Sequence, residues 1–80
     1  MLWPWTKRRL RQEALVLEAL QHGGETTALE LGKRTGLSIG VLYPMLSRME
    51  KDDRVTSRWG IATAERGWRR PRLYRVNVLL

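Results

Sequence analysis

Hydrophobic positions recur at helical spacing over the first two thirds of the chain and alternate over the last third. Leu42, Leu46 and Met49 stand at i, i+4 and i+7, which puts their side chains on one face of a helix. Ser38 precedes them as an N-cap, so a helix is predicted over 38–51. Its opposite face carries Ser38, Gly40, Tyr43, Ser47, Arg48 and Lys51. Pro44 lies past the first turn and removes one intrahelical hydrogen bond, so a bend or a distinct first turn is expected there.

Upstream, Thr27 and Glu30 have capping-box spacing, and Ala28, Leu29 and Leu31 supply apolar contacts. Gly36 falls where a left-handed C-terminal cap would sit. These signals predict a helix of roughly two turns. A longer helix is predicted over 6–21, with Thr6 as its N-cap and Leu10, Ala14, Leu17 and Leu20 or Gln21 along its apolar face. Leu15, Val16 and Ala19 widen that face beyond a simple stripe. Gly23-Gly24 stops it, with His22 as a partner for the C-terminal dipole. The first five residues, with Trp3 and Trp5 around Pro4, read as an apolar arm, because proline breaks helical bonding.

After the solvated turn Asp52-Asp53 the period changes to two. Val55-Thr56-Ser57-Arg58-Trp59 and Leu73-Tyr74-Arg75-Val76 alternate and favour strands. Between them lies a loop with Gly60, Gly67, Pro71 and the arginines Arg66, Arg69, Arg70 and Arg72. The pattern predicts an α+β fold, mainly α: a winged helix-turn-helix, three helices followed by a two-stranded β-hairpin wing. Eighty residues make one domain, divided into the arm at 1–5, a helical part at 6–52 and the β wing at 54–77. Trp59 is expected in the core, packing the hairpin on the helices. Trp68 is expected either to cap the core or to stack on a base.

Charge narrows the chemistry. Fifteen Lys and Arg oppose eight Asp and Glu, a net +7, and such a field attracts polyanions. The chain has no cysteine and one histidine, so disulfides and multi-histidine metal sites are excluded. No nucleophile or ligand cluster stands out, so neither an enzyme nor a cofactor is expected, and no small-molecule effector is evident. No apolar run approaches the about 20 residues that span a bilayer, and no secretory signal is read. A cytoplasmic protein is expected, on a bacterial nucleoid or in the host of a phage.

Two helices joined by a glycine-containing turn are the helix-turn-helix pattern, whose second helix reads the major groove from its N-terminal end. Ser38 and Gly40 are small enough for close approach, and Tyr43 can bond a phosphate or pack on a thymine methyl. Arg48 and Lys51 suit phosphates. The cationic loop has few structural reasons for its charge, since neighbouring like charges repel. Arginines beside or within a minor groove explain it.

Residues 28–76 resemble the DNA-binding domain of PadR-family transcriptional regulators. The resemblance rests on Leu29-Glu30-Leu31 with Lys33-Arg34, Gly36-Leu37-Ser38-Ile39-Gly40-Val41-Leu42-Tyr43-Pro44, Leu46-Ser47-Arg48-Met49-Glu50-Lys51, Val55-Thr56-Ser57-Arg58-Trp59 and Arg70-Pro71-Arg72 with Tyr74-Arg75-Val76. Its most specific part is Leu-Tyr-Pro inside a helix. The sequence departs from the family at Gly60, where an acidic residue is common, and at Leu73, where an aromatic is expected. Family members also continue into C-terminal dimerisation helices, and the reading here is of a domain without them. The resemblance implies a winged helix that binds operator DNA as a dimer, usually as a repressor.

The expected function is therefore a sequence-specific regulator of transcription on double-stranded DNA, acting as a homodimer with no membrane contact. The expected DNA-binding residues are Ser38, Gly40, Tyr43, Pro44, Ser47, Arg48, Lys51, Arg66, Arg69, Arg70 and Arg72. Leu2, Trp3, Trp5, Val16, Leu79 and Leu80 are the candidate dimer surface, because exposed apolar patches usually have partners. Two alternatives share these features: an architectural or recombination-directing, excisionase-like DNA binder, and a winged-helix protein-interaction module.

Overall fold

The computed structural model of the chain describes residues 4–77, with side chains from residue 6 onward. Its elements are α1 (Pro4–Gly23), α2 (Ala28–Thr35), α3 (Ile39–Lys51), β1 (Val55–Trp59), a 3-10 turn (Ala64–Arg66) and β2 (Arg72–Val76). The layout is α+β, mainly helical and winged-helix-like. Among the described residues, no helix is long and apolar enough to cross a membrane.

Helix ends follow the local chemistry. The Thr27 hydroxyl accepts from the Glu30 amide at 3.2 Å, and Ser38 Oγ accepts from the Val41 amide at 3.3 Å, each satisfying an amide with no intrahelical partner. Gly36 closes α2 at φ 77°, a left-handed cap that glycine takes without strain. α3 runs unbroken through Pro44. Because a helical amide bonds the carbonyl four residues back, the missing N–H leaves the Gly40 carbonyl without its helical donor.

α1 begins earlier than the sequence pattern indicates. Pro4 is its first residue, where proline's absent N–H costs nothing and its fixed φ suits a helix. Residues 1–5 are thus not all a separate arm, and Thr6 is inside the helix. The buried stripe of α1 also differs from the expected one. Leu10 and Ala14 are exposed, whereas Glu13, Val16 and Leu20 face inward.

The core joins the three helices and both strands. Val16 and Leu20 meet Ala28 and Leu31 of α2, Leu42, Met45, Leu46 and Met49 of α3, Val55 of β1 and Tyr74 of β2. Truncating one of the large aliphatic side chains to alanine costs about 2–5 kcal/mol at such fully enclosed sites. Val16, a candidate for the dimer surface, is 0% exposed and is corrected to a core residue. Leu2, Trp3, Leu79 and Leu80, with the Trp5 side chain, lie outside the described residues.

The hairpin pairs β1 with β2 in antiparallel register, Val55 with Val76 through Trp59 with Arg72. Thr26, just before α2, joins it as a single antiparallel bridge to Tyr74, with Thr26 N to Tyr74 O at 3.0 Å and Tyr74 N to Thr26 O at 2.7 Å. This contact ties the wing to the start of the helix-turn-helix. At the other end of α3, Arg54 Nη1 reaches the Glu13 carboxylate at 3.3 Å and Arg48 Nη2 reaches it at 4.0 Å. A buried carboxylate needs such partners, and here they tie α1 to the last turns of α3 and to the α3–β1 turn.

Candidate nucleic-acid interface

The outer face of α3 is set by what its inner face buries. With Leu42, Met45, Leu46 and Met49 inward, Gly40, Tyr43, Pro44, Ser47 and Lys51 are all exposed. Ser38 stands at the N-terminal end, its oxygen already accepting the capping bond. Gly40 has no packing reason to be glycine: a Cβ there would meet only Ser38 Oγ, at 4.0 Å. Glycine is unfavourable in a helix, so its bare backbone on this face is a cost that the fold does not explain. Arg48 departs from the expected arrangement. It is half-buried and its guanidinium turns toward Glu13, away from the other residues of the face.

The hairpin continues this surface. Alternation from Val55 puts Ser57 and Trp59 on the side of β1 that faces α3, opposite Tyr74 and Arg72. An open cleft runs between the two elements, lined by Tyr43, Ser47, Glu50 and Lys51 of α3 and by Trp59, Arg72 and Tyr74 of the hairpin. Burial pushes the Tyr74 phenol above its usual 10.0, so this wall presents a neutral hydroxyl.

A bonded network sets the position of the hairpin against α3. Ser57 donates to Glu50 Oε1 at 2.9 Å. Arg72 Nε donates to Ser57 Oγ at 2.9 Å, and Arg72 Nη2 lies 3.8 Å from Glu50 Oε2. The Arg72 guanidinium also covers the Trp59 ring, 4.8 Å from its centroid, within cation–π range. Trp59 is 53% exposed, which corrects its expected place in the core: it extends the cleft past the core's edge. Neither Trp59 nor Glu50 was among the residues expected at the site. The register would have found Trp59, since it shares a strand face with Val55.

The remaining arginines extend outward. Arg70 Nε donates to Gly60 O at 3.0 Å, which closes the neck of the loop beside the Gly60 N to Pro71 O bond of 2.7 Å. Arg66 and Arg69 are exposed at the tip, and among the described residues neither they nor Arg70 form an ion pair. On the far face of the hairpin, Arg58 grips the Glu25 carboxylate through two hydrogen bonds of 2.8 and 2.7 Å. Those bonds hold the Glu25 carboxyl below its usual 4.5.

Chemically this surface offers hydrogen-bond donors, an aromatic face and unpaired cations. Among the described residues, no group of three or more His, Cys, Asp or Glu is arranged to hold a metal ion. The chain matches no protein-family model, and comparison with curated proteins finds no relative.

Proposed function

We propose that the chain is a sequence-specific, double-stranded DNA-binding regulator of the winged-helix kind. α3 reads the major groove, and the arginine-bearing hairpin holds the backbone or the adjacent minor groove. One observation carries the reading: the exposed face of α3 and the cationic hairpin meet in a single cleft, with Tyr43, Ser47 and Lys51 across from Trp59 and Arg72. A helix N-terminus bearing small residues suits base edges. Arginines without acidic partners suit phosphates. The unexplained glycine at position 40 fits close approach of the α3 backbone to DNA.

Arg48 and Arg72 take indirect roles in this reading. Their guanidiniums anchor α3 to α1 and the wing to α3. Repression by occupying an operator is the simplest mechanism for such a module, with two copies on an inverted repeat. The PadR-like motif around Tyr43-Pro44 lends the same reading its family resemblance.

Anisotropy titration with a fluorescent mixed-sequence duplex tests it. Affinity should fall linearly on log–log axes as salt rises, with a slope set by several phosphate contacts. Absence of duplex binding at low salt would overturn the reading.

A further inference from the structure

The tip of the hairpin holds a large side chain in a costly conformation. Gly67 and Trp68 take φ of 64° and 62° in succession. Glycine does this freely, whereas a bulky residue rarely does. The turn is fixed by Thr63 O, which accepts from Trp68 N at 2.7 Å and from Arg66 N at 3.2 Å, and by Ala64 O, which accepts from Gly67 N at 3.0 Å. The result presents the indole outward, 72% exposed. Neither expectation of a core-capping Trp68 nor any packing need explains it. Strain of this kind at an exposed position points to function.

Charge identifies the occupant. Arg66 and Arg69 flank the indole, and Arg70 follows at the loop neck. Glu65 is the one acidic residue of the segment between β1 and β2. A cationic collar around a flat aromatic suits a polyanion that also offers stacking surfaces, as nucleic acid does. We propose that Trp68 is a wedge: when the wing enters the minor groove, the indole inserts at a base step, unstacks it and bends the duplex, while the flanking arginines hold phosphates. Apolar wedges of this sort kink DNA toward the major groove. The proposal rests on the DNA-binding reading above and adds deformation to it.

The test is ligase-mediated circularisation of random-sequence fragments of about 150 bp, near the persistence length, alongside anisotropy titration. The wild-type chain should raise the circle yield. Trp68→Ala should abolish that increase and weaken binding about tenfold, the loss of roughly one aromatic–base stack, with the salt slope unchanged because no phosphate contact is removed. Trp68→Phe should restore part of the bending. Circular dichroism should show all three proteins folded, since the side chain packs against no core. Duplex binding with equal circle yields for wild type and Trp68→Ala would overturn the wedge and leave the DNA-binding reading standing. Absence of duplex binding by the wild type would overturn both.

Discussion

Arg72 and Trp59 are cross-strand partners in the hairpin, with the guanidinium stacked on the indole. The same guanidinium binds Ser57 and lies beside Glu50 of α3. Arg72 therefore fixes the angle of the wing, while Arg69, with no ion pair among the described residues, is open to a ligand. Their alanine variants should differ in kind. Arg69→Ala should lower the slope of log affinity against log salt by about one. Arg72→Ala should leave that slope unchanged, weaken binding, and cost about 1 kcal/mol of stability from the lost stack and hydrogen bond. Equal slope changes would contradict this division.

Gly40 separates stability from binding. Gly40→Ala should stabilise the fold by about 0.5–1 kcal/mol, because alanine is the better helix former and its Cβ meets no close neighbour. The same variant should bind duplex DNA several-fold more weakly. Thermal melts and anisotropy read the two effects independently, and undiminished affinity would remove the close approach of the α3 backbone from the account.

Glu13 is buried and depends on two arginines of unequal reach, Arg54 at 3.3 Å and Arg48 at 4.0 Å. Removing one partner of a buried carboxylate leaves desolvation uncompensated. Arg54→Ala should cost about 2 kcal/mol in chemical denaturation, and Arg48→Ala distinctly less. The reverse order would show that Arg48 is the main anchor.

The Glu25–Arg58 pair predicts a pH dependence. Hydrogen bonds from Arg58 hold the folded Glu25 carboxyl below 4.5, its ordinary value. A depressed carboxylate contributes stability that is complete above the unfolded value and is lost as pH falls through the folded one. Wild type should therefore exceed Glu25→Gln in melting temperature near neutral pH. The gap should close as pH falls below 4.5. A gap constant down to pH 3 would show that the carboxylate's charge plays no part.

Much of the fold was legible because it is written in local chemistry. Thr27, Gly36 and Ser38 mark helix ends through their own side chains or backbone freedom, and Leu42, Leu46 and Met49 carry an unbroken helical period. The sequence pattern misleads where the decisive partner is remote in sequence. Glu13 lies on the buried stripe of α1 and disguised its register, because its partner Arg54 is 41 residues away. Val16 looked like spare apolar surface for the same reason. Trp59 shares a strand face with Val55 and reads as core that packs the hairpin on the helices, but the strand outruns the core and Arg72 covers the ring instead. The Thr26–Tyr74 bridge is one residue long and leaves no alternation to read. At the candidate site, the exposed face of α3 followed from its period. The turn of Arg48 toward Glu13 depended on α1's true register and was not visible.

The central claim is that α3 and the wing together read a DNA sequence. Selection of bound duplexes from a random pool at near-physiological salt, followed by sequencing, tests it most directly. The account predicts an enriched inverted repeat whose half-sites lie about one helical turn, or a multiple of it, apart, with Tyr43→Ala changing the preferred bases. A pool that stays random while binding disappears with rising salt would contradict it, leaving electrostatic attraction alone.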